Sequence, residues 1–139
     1  MDYSKLSDFE IDKAVADALG INYDIAIMFV NPVDKINGNH VEEYIRKKIT
    51  SNEKHWRRFS PTRIPNDAWP IIIDNQLSLN NYGETWEASF EHDEPVGAFG
   101  TDECVTSGVE DKNPLRTLMI AFLMKVEIEN AKIPTERDS

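Results

Sequence analysis

A chain of 139 residues with 40% apolar and 29% charged side chains has the size and balance of one ordinary domain, able to bury a core without disulfide or metal staples. Its formal net charge of −10 works against binding of whole nucleic acid duplexes, whose phosphates dominate such affinity. The single cysteine, Cys104, excludes an intramolecular disulfide and a thiolate metal cluster within one chain, and it fits a reducing, cytosolic setting.

Residues 1–19 carry acids where a secretion signal needs a basic start and an apolar run, so the N-terminus is read as mature protein. Ser7, Asp8, Phe9 and Glu10 spell a capping box, in which serine and glutamate satisfy each other's backbone N–H groups. A helix is predicted from there, with Ile11, Val15, Ala18 and Leu19 on one face, Leu6 placed to staple onto Ile11, and Gly20 as a left-handed stop. Residues 23–30 are rich in aromatic and branched side chains and predict a strand with Tyr23, Ile25, Ile27 and Phe29 on one face, ended by Asn31 and Pro32.

Asn37 and Gly38 mark a turn, after which Val41, Ile45 and Ile49 recur at helical spacing beside Tyr44 and predict a short helix over 41–50. Residues 51–65 have two prolines and no sustained periodicity, so they are read as a loop or an edge segment. Here the charge reverses. Seven bases (Arg46, Lys47, Lys48, Lys54, Arg57, Arg58, Arg63) face one acid, Glu53, with Trp56 and Phe59 among them. Residues 1–45 carry nine acids against three bases and residues 64–139 fifteen against five, so the stretch is a local positive potential in an acidic chain.

Asp67 is a good N-cap residue, which would put Pro70 in the first turn of a helix with Trp69, Ile72 and Ile73 facing inward. Leu77 and Leu79, a turn at 80–83, and the alternation of Trp86, Ala88 and Phe90 with Glu87, Ser89 and Glu91 predict a hairpin over 76–90. Residues 91–112 hold seven acids and one base, with glycines at 97, 100 and 108, and read as a long solvated loop. Asn113 and Pro114 then open a second helix whose apolar stripe is Leu115, Leu118, Met119, Phe122, Leu123 and Val126. That stripe is broken by Arg116 and Lys125 and falls short of the roughly 20 apolar residues of a membrane span. Residues 132–139 read as a flexible tail.

These elements predict a single α+β domain over residues 1–131, with a small antiparallel sheet packed against the N-terminal and C-terminal helices. The sheet is expected to combine residues 23–30 with the hairpin. The expected core is Ile11, Val15, Leu19, Ile25, Ile27, Trp69, Ile72, Trp86, Leu118, Phe122 and Leu123.

The run Asp67-Ala68-Trp69-Pro70-Ile71-Ile72, followed by Trp86-Glu87-Ala88 and by Asn113-Pro114-Leu115-Arg116 opening a Met-containing apolar helix, resembles the NinX-like family of small phage and prophage proteins. The opening Tyr3-Ser4-Lys5-Leu6-Ser7-Asp8-Phe9-Glu10-Ile11 is similar to that family's start. The resemblance implies a bacteriophage accessory protein in the cytoplasm of the bacterial host, and it supplies context rather than chemistry.

Lys54, His55, Trp56, Arg57, Arg58 and Arg63 form the candidate binding stretch, with guanidinium forks for phosphate or carboxylate and an indole for stacking. The competing reading pairs these cations with the protein's own acids, for instance in residues 91–111. Trp69 and Trp86 are read as core. His92, Asp93 and Glu94 with Asp102 and Glu103 offer clustered oxygens for a divalent cation, but a solvated acidic loop needs no ion. Cys104 with His40, His55 or His92 would be a conceivable nucleophile and base, yet no motif brings them together. No catalytic residue, metal or cofactor is therefore expected. The functional expectation is a non-catalytic protein that binds a host protein, defence-related in the sharpest form, or another phage protein. The alternatives are capture of a nucleotide or other phosphorylated small molecule at Trp56, Arg57 and Arg58, or a small enzyme. An exposed part of the stripe over 115–126 would point to a homodimer.

Overall fold

The computed structural model describes residues 2–29, 41–48, 56–94 and 102–132. One helical turn, Tyr3–Lys5, leads into helix α1, Asp8–Leu19. Ser7 Oγ accepts the Glu10 N–H at 3.1 Å and the Glu10 carboxylate accepts the Ser7 N–H at 3.1 Å, so the capping box forms as predicted. Gly20 ends the helix in the left-handed conformation, with φ 70. Ile11, Val15 and Ala16 are fully buried, whereas Leu19 is 41% exposed, because the last turn of α1 runs past the core.

Strands β1 (Tyr23–Phe29), β2 (Val41–Lys48) and β3 (Trp56–Phe59) form an antiparallel sheet in that order. The predicted helix over 41–50 is thus a strand. A spacing of four is even, so a periodicity that marks one face of a helix marks one face of a strand as readily. Ile45 gains cross-strand partners in Ile25 and Phe59, while a short helix would have had only its own marginal stability. Residues 51–65, read as a loop or edge segment, contain the edge strand β3. Ile45 and Phe59 carry the buried face, while Ile25 and Ile27, expected in the core, stand 40% and 58% exposed on the outermost strand.

Helix α2, Pro65–Asp74, begins earlier than predicted. Ile64 occupies the N-cap position without a side-chain cap and Pro65 takes the first turn, so Asp67 is not the cap and Pro70 lies inside the helix. The buried face is the one that carries Asp67, Ala68 and Ile71. Ala68 and Ile71 are buried, Ile72 is partly buried, and Trp69 and Ile73, expected inward, are 62% and 54% exposed.

Strands β4 (Ser78–Tyr82), β5 (Thr85–Glu94) and β6 (Glu103–Asp111) make a second antiparallel sheet in chain order. The predicted hairpin is present, but it does not share a sheet with β1; each pairs with other strands. The predicted loop over 91–112 is overturned where the chain is described, since Glu91 to Glu94 continue β5 and residues 103–111 pair with it, while 95–101 lie outside the described residues. Val105, Ser107 and Val109 face the same side as Ala88 and Phe90, alternating with outward Thr106 and Glu110, so the segment is half-buried sheet despite its acids. Gly108 suits this pairing, because a Cβ there would lie 3.0 Å from the Ala88 carbonyl oxygen. Trp86 is half-buried.

Asn113 caps helix α3, Pro114–Lys132, accepting the N–H groups of Leu115 and Arg116 at 3.0 and 3.2 Å. Leu118 through Leu123 are all at most 5% exposed, the signature of a helix covered on every side. Helices α1 and α2 and strands β5 and β6 pack around it, so α3 is the axis of an α+β fold. Leu118, Met119, Phe122 and Leu123 of its stripe are buried within the chain, and Leu115 and Val126 at its two ends are partly buried. Among the described residues no helix is long and apolar enough to cross a membrane. Lys132 ends α3, and the rest of the predicted tail lies outside the described residues.

Candidate binding site

The pairing of β2 with β3 sets Lys48 opposite Trp56, Lys47 opposite Arg57, Arg46 opposite Arg58 and Ile45 opposite Phe59. Opposed residues share a face and neighbours alternate, so the pleat divides the basic stretch in two. Arg46, Lys48, Trp56 and Arg58 lie on one face; Lys47 and Arg57 lie on the other beside Phe59. Trp56 and Arg57, expected to hold one ligand together, therefore project from opposite sides. Arg63 follows in the turn after β3, and Lys54 and His55 lie outside the described residues.

On the first face the cations are already in company. The Arg46 guanidinium sits 5.1 Å from the Trp56 ring centroid and donates to Asp24 at 2.7 Å. That hydrogen bond holds the Asp24 carboxyl below its ordinary range. Arg58 lies 5.4 Å from the Tyr44 ring centroid and 3.8 Å from Glu42, which also accepts from Arg63 at 2.6 Å. Arg63 is raised further above its usual pKa, mainly by the Glu42 hydrogen bond, and its Nε is 3.7 Å from Asp8. Among the described residues, the acids that answer Arg46, Arg58 and Arg63 are Asp24, Glu42 and Asp8.

The other face opens into a cleft of about 490 Å³ between the end of α1, strands β2 and β3, and helices α2 and α3. Leu19, Ile21, Phe59, Pro70, Phe122 and Val126 supply apolar wall, and Lys47, Arg57, Asp67 and Asp74 supply charge. Arg57 Nη1 donates to Asp67 at 2.9 Å, while Lys47 Nζ lies 5.3 Å from the Phe59 ring centroid.

Beneath the cleft two buried carboxylates fix the turn that joins β3 to α2. Asp67 accepts the Ser60 N–H at 3.0 Å, and Asp12 accepts the Ser60 hydroxyl at 2.6 Å and the Thr62 N–H at 3.0 Å. Burial pushes the Asp12 carboxyl up, partly countered by those donors. Every hydrogen bond described for these carboxylates goes to this turn or to Arg57, which makes them supports for the site.

The other candidates separate. His92 Nε2 meets Ser107 Oγ at 2.7 Å on the inner side of β5, whereas Cys104, opposite Asp93, faces outward with Sγ 3.6 Å from Glu91. Desolvation and the nearby Glu91 raise the Cys104 thiol, the reverse of an activated nucleophile. His40 and His55 lie outside the described residues. Among the described residues no group of three or more His, Cys, Asp or Glu side chains is placed to hold a metal ion.

Sequence reasoning missed Lys47 and Trp69. Centring the buried face of α2 on Ala68 and Ile71 would have put Trp69 and Ile73 outside it. Alternation along 41–48 would have put Lys47 with Ile45.

No curated protein and no solved structure matches the chain significantly. A family model described as Bacteriophage P22, NinX matches residues 2–126, nearly the whole length, a span that includes this chain's capping box and its Asn113-Pro114 helix start. The chain belongs to the bacteriophage P22 NinX family.

Proposed function

We propose that this protein is a non-catalytic phage accessory factor that works in the cytoplasm of the bacterial host by docking on a protein partner. The observation that carries the reading is the outer surface of α2, where Trp69 and Ile73, one helical turn apart, are 62% and 54% exposed. Exposed large apolar groups are costly to leave in water, and tryptophan is the residue most enriched where partners bind. Membership of a phage family supports a host or phage protein as that partner.

The test is affinity capture from bacterial lysate, with and without phage infection, using the natural chain and a Trp69→Ala, Ile73→Ala double variant. A partner recovered by the first and lost by the second is expected. Trp69→Ala should lower unfolding stability by less than about 1 kcal/mol in urea, as for an exposed site, rather than the roughly 3 to 5 of a buried tryptophan. Equal recovery by both chains would remove α2 as the docking surface.

A further inference from the structure

We propose that the cleft beside β2 and β3 is a binding site for a small organic anion with an apolar body, such as an aliphatic or aromatic carboxylate. Lys47 and Arg57 are direct cross-strand partners, so their Cβ atoms stand roughly 5 Å apart on one face. Two like charges in that position repel, and the fold offsets only part of the repulsion. Every hydrogen bond described for the Arg57 guanidinium uses Nη1, directed at Asp67 and the Arg58 carbonyl, which leaves Nη2 and Nε available. Lys47 Nζ has no carboxylate partner among the described residues and rests over Phe59.

Helix α2 opens beside this pair without a side-chain cap, and its first turn puts Asn66 and Asp67 on the cleft; the Asp67 carboxylate is already held by Arg57 and the Ser60 N–H and opposes the positive helix end, which leaves Lys47 as the cation without a carboxylate among the described residues. Away from the cations the wall turns apolar, through Leu19, Ile21, Pro70, Phe122 and Val126. At about 490 Å³ the space falls within the range of small-molecule sites. A carboxylate between Lys47 and Arg57 would relieve their repulsion while its hydrocarbon displaces water from that wall. Asp74, also on the cleft, selects against a second negative charge on the body and so favours a monoanion. The cleft takes Asn66, Asp67, Pro70 and Asp74 from α2 and not Trp69 or Ile73, so loss of partner capture in the Trp69, Ile73 variant and loss of dye binding in the Lys47 variant are separate readouts.

The experiment titrates the full chain with the fluorescent anion anilinonaphthalene sulfonate below its unfolding temperature. Saturable binding at one site per chain is expected, displaced by decanoate but not by decanol or inorganic phosphate. Lys47→Gln should weaken the dye about ten-fold, the loss of one charge-assisted contact. Leu19→Trp, which fills the cleft from a position already 41% exposed, should abolish it, and Lys112→Gln, a cation removed elsewhere, should leave it unchanged. The proposal falls if binding does not saturate, if Leu19→Trp binds as the natural chain does, if Lys112→Gln weakens binding as much as Lys47→Gln, or if phosphate alone competes equally.

Discussion

Asp12 shows how one buried side chain serves a neighbouring site without touching a ligand. Its carboxylate, 5% exposed, gathers a hydroxyl and a backbone N–H from the turn that leads from β3 into α2. Burial raises its folded-state pKa above the unfolded value, so the native state holds the proton more tightly. Its contribution to stability is therefore greatest below the ordinary carboxylate range, near pH 4, and declines as pH rises from there through the elevated folded value. Asp12→Asn should abolish that decline, gaining on the natural chain as pH increases across the window. Asp12→Ala should cost about 1 to 3 kcal/mol for each donor left unpaired. Urea unfolding at several pH values checks both, and parallel curves for the natural chain and Asp12→Asn would refute the account.

Between elements, Arg116 at the start of α3 makes a polar join with four acceptors. Its guanidinium donates to Asp8 at 2.8 Å, Asp111 at 2.9 Å, and the carbonyls of Ser4 and Leu6 at 2.9 and 2.7 Å, tying α3 to β6 and to the N-terminal turn. Only a planar fork reaches four acceptors at once, so Arg116→Lys should lose roughly 2 to 4 kcal/mol in urea unfolding. A loss under about half a kcal/mol would show the join to be incidental. The elements that could be read beforehand were those governed by local chemistry: α1 by Ser7, Glu10 and Gly20, α3 by Asn113 and Pro114, and the hairpin by its turn at Gly83. Strands β2 and β6 could not, because their stability comes from partners whose pairing no local signal announces. The basic stretch was visible as composition. Its division between two faces was not, since that follows from the strand at β2, and Asp24, Glu42 and Asp67, which answer its arginines, are scattered along the sequence.

Over the whole molecule the charge is sorted by sheet. The second sheet carries seven acids and no Lys or Arg, and the first carries five Lys or Arg against three acids. Glu87 and Glu110 stand directly opposite each other, an arrangement that repels. Raising salt from about 10 to 150 mM, which shortens the screening length from roughly 30 to 8 Å, should raise the melting temperature. Glu87→Gln should reproduce part of that gain, a few tenths of a kcal/mol. A melting temperature that falls steadily with added salt would mean that screened attractions outweigh the repulsion. The sorting also gives the protein a leading side. A strongly acidic target would attract the first sheet and repel the second, so the charge of each sheet would bias the orientation of an encounter before any contact is made.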